Sequence, residues 1–303
     1  MQSITVNTCA KINLTLDVTG RREDGYHLVR MVMQSVSLYD TLDFTLRDDD
    51  KITLRLSSQS TAQGAQALPM DETNLIARVI DTMRKRFSLT YGVDVLLTKR
   101  IPMAAGLAGG SADAAAAFTG INRLFSLGLS MDELLTFALP LGADIPFCLT
   151  GGTQLAEGIG EVLTPVAPLP DCFILLGKPG VDVSTKAVYT ALDERAGSAF
   201  SGIVHPNVDG QIAALKREDL TGVCRAMGNV LETVTIMTTP AVSRIRDLML
   251  SEGALGAMMT GSGPTVFGIY AKEETANRAY DALLMSGLCA EVYLTEPCQF
   301  SQN

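Results

Sequence analysis

A run of alternating residues near the N-terminus restricts the fold of this chain more than any other feature. Over residues 3–18, apolar side chains such as Ile4 and Val6 fall on even positions, and polar side chains fall on odd positions. Period two over this length predicts an extended strand with one buried face. Lys11 and Asn13 stand on the odd face, so we expect them to point in the same direction, away from the core.

The remaining pattern mixes strands and helices along the whole chain. The first half predicts further strands at 36–46, 52–56, 93–97 and 145–149, and helices at 74–87, 111–125 and 130–140. Ser130 and Glu133 form a capping box for the third of these helices. The second half predicts strands at 172–176 and 290–294, a strand-turn-strand unit at 256–270, and helices at 185–195, 209–216, 219–228, 240–252 and 273–286. This order indicates an α+β protein, and a Gly-rich turn favours two domains, 1–152 and 153–303.

Composition narrows the class of function. The formal net charge is −9, with no basic stripe, which argues against nucleic acid as a partner. Six scattered cysteines and two histidines make a structural zinc site unfavourable. No signal region and no stretch of about 18 apolar residues is visible, so we expect a cytoplasmic enzyme with reduced thiols and no membrane partner.

The segment IPMAAGLAGGSADAAAAF, residues 101–118, is the strongest local motif. Gly106, Gly109 and Gly110 permit a tight loop whose backbone approaches a ligand closely. The loop opens directly into a helix, whose first N–H groups lack partners and carry the positive end of the dipole. This pattern predicts an anion site, although glycines also serve plain turns before helices. It matches neither the Walker P-loop nor the dinucleotide fingerprint.

Three other features are candidates for a site. Asp144 lies in LGADIPF, just past a helix, where it is either a turn residue or a catalytic base. Lys11 is its candidate partner, or else an ordinary strand lysine. The stretch 253–270 carries five glycines and predicts a second close backbone approach or only a hairpin. Tyr26 and His27 follow a Gly turn, where they either stack on a base or lie on the surface.

Four blocks taken together resemble the GHMP kinase superfamily. They are AKINLTLDVTGRREDGYHLVRMVMQSVSLYDTLDF at 10–44, PMAAGLAGGSADAAAAF at 102–118, LGADIPFCLTGG at 141–152 and MTGSGPTVF at 259–267. The resemblance covers almost the whole chain in the right order. The first block is most similar to the branch whose acceptor alcohol is linked to a cytidyl group.

The resemblance implies a two-domain α+β fold, with an N-terminal half like the second domain of ribosomal protein S5 and a ferredoxin-like C-terminal half. It implies transfer of the γ-phosphoryl group of ATP, with Mg²⁺, to the 2-hydroxyl of a cytidyl-linked methylerythritol in the non-mevalonate isoprenoid pathway. A GHMP kinase for mevalonate or homoserine and a non-catalytic nucleotide- or RNA-binding protein on the same fold are the alternatives.

The resemblance also implies roles for individual residues. Lys11 and Asp144 match the family's catalytic pair. Asn13, Tyr26 and His27 match positions that hold the acceptor, and Tyr189 is a further candidate for packing on cytosine. Asn74 and Lys99 fall beside the adenosine. The loop around the ATP phosphates comprises Pro102, Met103, Ala104, Ala105, Gly106, Leu107, Ala108, Gly109, Gly110, Ser111 and Ala112.

The loop departs from the family form GLGGGSSDAA at two positions. Ala108 replaces a glycine, which requires a negative φ if alanine is to be tolerated there. Ala112 replaces a serine and leaves Ser111 as the only hydroxyl of the loop. The sequence therefore identifies no ligand for Mg²⁺.

Overall fold

Two β-sheets with helices packed on them form the protein. The computed structural model describes residues 2–197, 200 and 202–298. The first sheet is mixed and has the order β3-β4-β2-β1-β8, with β5 pairing with β2 and β6 with β5. Its strands are β1 (Ser3–Arg21), β2 (His27–Leu46), β3 (Ile52–Leu56), β4 (Val93–Thr98), β5 (Thr153–Glu157), β6 (Val162–Pro165) and β8 (Gly228–Asn229).

The second sheet is antiparallel and has the order β11-β7-β10-β9. Its strands are β7 (Phe173–Lys178), β9 (Gly256–Met259), β10 (Val266–Tyr270) and β11 (Glu291–Thr295). Several helices lie between the first two of these strands in the chain, and one helix precedes the last, which is compatible with the chain order of a split βαβ unit. The predicted ferredoxin-like arrangement is confirmed.

Ten α-helices lie within the described residues. They are α1 (Leu75–Phe87), α2 (Gly109–Leu124), α3 (Met131–Ala138), α4 (Ile145–Thr150), α5 (Thr185–Ala196), α6 (Val208–Lys216), α7 (Leu220–Arg225), α8 (Glu232–Thr238), α9 (Ala241–Ser251) and α10 (Glu273–Ser286). Ser130 and Glu133 make both hydrogen bonds of the predicted capping box. None of the helices is both long enough and apolar enough to cross a membrane.

Small side chains let α2 pack tightly against the first sheet. Ala114 to Ala117 are fully buried, and a side chain at Gly120 would meet the ring of Phe44 on β2 at 2.5 Å. The helix therefore lies close to the sheet along its length, which fixes the position of its first turn.

Both faces of β1 are buried over much of its length, contrary to the prediction of one exposed face. Lys11 and Asn13 are at most 4% exposed. The register against β2 shifts between Asn13 and Thr15, so the strict alternation is interrupted. Leu16 consequently lines the same cavity as Lys11 and Asn13.

One prediction about secondary structure was wrong, and one helix was missed. Residues 145–149 form α4 rather than a strand, because Pro146 stands in the first turn, where its fixed φ suits a helix. A short apolar run cannot distinguish a buried strand from a buried helix. Helix α8 was not predicted.

The predicted domain boundary at residue 152 remains a prediction. Strands β5 and β6 follow that residue but extend the first sheet, and β8 pairs with β1. The second sheet begins only at Phe173.

Candidate active site

A cavity of about 570 Å³ brings together residues from both halves of the chain. The residues that carry polar or flexible groups into it include Lys11, Asn13, Met31, Lys99, Ser111, Asp113, Asp144, Thr185, Tyr189, Gly261 and Ser262. The loop before α2 contributes Pro102, Met103, Ala104, Ala105, Gly106, Ala108, Gly109 and Gly110. Most of the residues predicted from sequence thus share one space.

The glycine loop ends in a helix start with free donors. In the described chain, the backbone N–H groups of Gly109, Gly110 and Ser111 have no hydrogen-bond acceptor, and α2 has no side-chain cap. The first internal bond is donated by Ala112 to the carbonyl of Ala108 at 2.8 Å. Unsatisfied amides at the positive end of a helix are suited to binding an anion.

Ala108 does not have the negative φ that the sequence required. Its φ is +57°, so an alanine occupies the left-handed region at the start of α2. This conformation is unfavourable for a residue with a Cβ. Alanine in place of the family's glycine at position 108 therefore strains the loop.

Two residues of the loop lie behind the cavity surface. Leu107 and Ala112 are at most 1% exposed and pack in the core. The carbonyl of Leu107 accepts a hydrogen bond from the backbone of Lys11 at 3.2 Å. Their predicted contacts with ATP are therefore not made by side chains lining this cavity.

The second Gly-rich segment forms a hairpin, β9–β10, and also approaches the first loop. A Cβ on Gly106 would lie 2.4 Å from the carbonyl oxygen of Thr260, which requires glycine there. Asn229 donates to the carbonyls of Met259 and Gly261, both at 2.8 Å, and so holds the turn. The segment 253–270 therefore forms both the hairpin and the close backbone approach that the sequence offered as alternatives.

Lys11 and Asn13 share a direction, as predicted, and are in contact. The ammonium of Lys11 donates to Oδ1 of Asn13 at 2.9 Å. The backbone N–H of Asn13 donates to the hydroxyl of Thr260 at 3.0 Å. The hairpin turn covers this face of β1, which explains why both polar residues are buried.

Asp144 lines the same cavity from the start of α4. It stands at the N-cap, but its side chain makes no capping hydrogen bond. No ion pair joins Lys11 and Asp144 in the described residues, since the ammonium of Lys11 is held by Asn13. Burial, followed by the charge of Asp144, raises the pKa of the Cys148 thiol, while Lys11 opposes this shift. Both charges therefore act on the Cys148 thiol.

Tyr189 packs against His27, which does not itself line the cavity. The rings of His27 and Tyr189 are 4.6 Å apart, and Nε2 of His27 lies 2.6 Å from a carboxylate oxygen of Asp193. Tyr189 lines the cavity, and burial raises the pKa of its hydroxyl. Tyr26 is 60% exposed and does not line the cavity. The structure thus groups His27 with Tyr189 and leaves Tyr26 apart.

The two residues predicted to lie beside adenosine have other partners. Oδ1 of Asn74 caps α1 by accepting from the N–H of Ile76 at 2.9 Å, and its amide donates to the carbonyl of Pro69. Lys99 is 2% exposed and pairs with Asp40 and Asp113, at 2.6 and 2.5 Å. Asn74 does not line the cavity, and the ammonium of Lys99 is largely enclosed.

Sequence reasoning missed Asp40, Asp113 and Asp193. Asp113 stands inside the quoted loop motif, but nothing in a helix-start sequence shows that its side chain is buried. Asp40 and Asp193 lie far along the chain from their partners, so only the fold brings them together.

Comparison with known proteins supports the family that the motifs indicate. The model of the GHMP kinases N terminal domain matches residues 74–152, and the model of the GHMP kinases C terminal domain matches residues 211–285. The 4-diphosphocytidyl-2-C-methyl-D-erythritol kinase of Lachnospira eligens is 47% identical over 296 residues, which is 98% of this chain and 99% of the relative. The chain belongs to the GHMP kinase family.

Other GHMP kinases agree with this assignment. The kinase of the same name from Listeria welshimeri is 43% identical over 99% of this chain and 98% of its own length. A crystal structure of 4-(cytidine 5'-diphospho)-2C-methyl-D-erythritol kinase superposes with a TM-score of 0.79 at 30% identity, covering 98% of this chain and all of that one. A homoserine kinase from Cytophaga hutchinsonii has the same fold, with a TM-score of 0.74 at 24% identity over 97% of this chain and 95% of its own.

Proposed function

We propose that this GHMP kinase transfers the γ-phosphoryl group of ATP to the 2-hydroxyl of 4-diphosphocytidyl-2-C-methyl-D-erythritol. The full-length relative at 47% identity, which bears the name of that activity, carries the proposal. One cavity offers free amides for an anion, a lysine, an aspartate with no ion-pair partner among the described residues, and the ring of Tyr189. These groups suit the three chemical parts of the two substrates: phosphate, alcohol and base.

The phosphates of ATP bind at the start of α2. The free N–H groups of Gly109, Gly110 and Ser111 donate to phosphate oxygens there. A helix dipole contributes only about 0.3–1 kcal/mol for each charge at an exposed site. The dipole alone is therefore too weak to hold ATP, and direct hydrogen bonds from the amides and from the ammonium of Lys11 add to it.

Asp144 orients the acceptor hydroxyl. In the transfer, the bond between the γ-phosphorus and the bridging oxygen of ADP breaks, and a bond to the acceptor oxygen forms. The hydroxyl proton passes to the carboxylate of Asp144. Because the transition state is loose, positioning and charge stabilisation outweigh early removal of this proton.

Lys11 stabilises the negative charge of the phosphoryl group in flight. Its ammonium is fixed by Asn13, which in turn is held by Thr260. A buried and already oriented cation stabilises developing charge without reorganising in the transition state.

The cytosine ring packs against Tyr189. Asp193 contacts the ring of His27, and this ring packs on Tyr189 and so supports it where it lines the cavity. This contact selects a nucleotide-linked alcohol over a smaller one.

Mg²⁺ fits as an ion carried by the phosphates. In the described chain, no group of three His, Cys, Asp or Glu side chains could hold a metal, and Mg²⁺ in kinases commonly keeps substrate phosphates and waters as ligands. The unpaired hydroxyl of Ser111 is the loop donor that would complete its ligands. The ion would neutralise charge on the phosphate oxygens.

An ADP-release assay with Mg²⁺ tests the proposal. We expect turnover with the cytidyl-linked alcohol and little or none with mevalonate or homoserine. Faster turnover with either small alcohol would assign a different GHMP activity. Nucleotide binding without ADP release from any of the three would contradict the kinase activity.

A further inference from the structure

A buried charge cluster lies directly beneath the phosphate loop. It consists of Lys99, which follows β4, Asp40 of β2 and Asp113 of α2. Lys99 and Asp40 are at most 2% exposed, and Asp113 is 5% exposed. We refer to these three residues as the loop clamp.

The loop clamp holds both ends of the loop. One oxygen of Asp40 accepts the backbone N–H groups of Arg100 and Ile101, at 2.5 and 2.9 Å, where the loop begins. Asp113 stands in the second turn of α2, where the loop has ended. Because Lys99 bonds both carboxylates, one side chain links the beginning of the loop to the helix.

Lys99 and Ile101 also lie in close contact with the first residue of α2. A Cβ on Gly109 would lie 3.1 Å from Nζ of Lys99 and from the side chain of Ile101. The first residue of α2 thus rests on the ammonium and on the beginning of the loop. Moving either end would alter the direction of the free amides.

The three residues act strongly on one another. Burial alone would lower the pKa of Lys99, but the carboxylates of Asp113 and Asp40 together raise it. Burial raises the pKa of Asp113 to about 8, although Lys99 acts in the opposite direction and Asp40 adds to the rise.

We propose that Lys99, Asp40 and Asp113 are positioning residues that fix the loop for ATP phosphates. The inference rests on the proposed use of ATP, but not on the identity of the acceptor. Two of the three donors of Lys99 are taken by carboxylates, so its ammonium acts through the loop rather than on adenosine. Preorganised donors bind an anion better because less order has to be gained on binding.

Calorimetric titration of each variant with ATP and Mg²⁺, without acceptor, tests the proposal. Asp113→Ala removes the acceptor that Lys99 bonds on α2, and we expect ATP to bind at least about tenfold more weakly. Asp40→Asn should weaken it too, although Asp40 does not line the cavity. Asp94→Asn is the control. Asp94 lies on β4, the strand that precedes Lys99, but it contacts Arg47 and Thr53 and not the loop clamp.

Steady-state constants separate positioning from general loosening. We expect the KM for ATP to rise in Asp113→Ala while the KM for the acceptor stays within about twofold. An equal rise in the KM values for both substrates would overturn the proposal. Folded variants that bind ATP with wild-type affinity would also overturn it. If the wild type binds ATP but does not phosphorylate the acceptor, the proposed function is wrong while the positioning role of the loop clamp still stands.

Amide hydrogen exchange of the wild-type protein supplies a second test if the variants do not fold. We expect the backbone N–H groups of Arg100 and Ile101, which donate to Asp40, to exchange slowly before ATP is added. Rapid exchange of both groups until ATP is bound would overturn the proposal.

Discussion

Asp144 and Lys11 line one cavity without forming an ion pair. The partner of Lys11 is Asn13, and the carboxylate of Asp144 makes no capping bond. At the level of the residue, the arrangement leaves space between a fixed ammonium and a free carboxylate. This space suits an acceptor hydroxyl beside the carboxylate and a phosphoryl group beside the ammonium.

Replacing Asp144 should affect turnover more than binding. In Asp144→Asn we expect kcat to fall by about 10²–10⁴-fold, the range for loss of a positioned general base. The KM values should change only modestly, because the amide keeps the size of the side chain. Asp81→Asn, which removes an exposed carboxylate paired with Lys85, is the control. A kcat near that of the wild type would exclude Asp144 from the reaction.

The buried carboxyl of Asp113 should make stability depend on pH. Its folded pKa, raised by burial to about 8, exceeds the unfolded value, so its contribution is present at low pH and is lost as pH rises through the folded pKa. Denaturant unfolding of the wild type and Asp113→Asn at pH 5, 6 and 7 measures this. We expect wild-type stability to fall relative to the variant, by at most about 1.4 kcal/mol per pH unit. A constant difference would show that Asp113 is ionised throughout.

At the level of the element, the start of α2 carries the phosphate site and a strained residue. Ala108 has φ +57° where the helix begins, and Gly106 has φ +74° two residues earlier. Left-handed backbone at these positions turns the chain sharply into the helix. The amides that follow are consequently left without partners and available to a ligand.

Relieving the strain at Ala108 should stabilise the protein. For Ala108→Gly we expect the free energy of unfolding to rise by about 0.5–1 kcal/mol, since the left-handed penalty of alanine exceeds the added entropy of glycine. Ala105→Gly is the control, because Ala105 is buried and outside the left-handed region, so it should lose stability. Thermal unfolding measures both. A loss of stability in Ala108→Gly would contradict the assigned conformation.

The sequence predicted most elements but not their side-chain partners. The alternation in β1, the capping box of α3 and the glycine-led start of α2 are local patterns, so they were visible. The helix at α4 was missed because a short apolar run does not distinguish a buried strand from a buried helix. The bulge after Asn13 was missed because tertiary packing decides it. Lys99 was predicted to lie beside adenosine, since nothing local shows that Asp40, 59 residues away, encloses it.

At the level of the whole molecule, the site forms where two glycine-rich turns meet. The loop before α2 belongs to the first sheet, and the hairpin turn joins β9 to β10 of the second. Gly106 and Thr260 are in close contact, and the hairpin also covers Lys11 and Asn13. The motifs could be recognised in the sequence, but only the fold shows that each completes the other.

Identification of the phosphorylated product tests the central claim most directly. Mass spectrometry and ³¹P NMR should show one phosphate added at the 2-hydroxyl of 4-diphosphocytidyl-2-C-methyl-D-erythritol, with one ADP formed for each product. The same reaction with Asp144→Asn should yield far less of both. Release of ADP without a phosphorylated cytidyl product would contradict the proposed function.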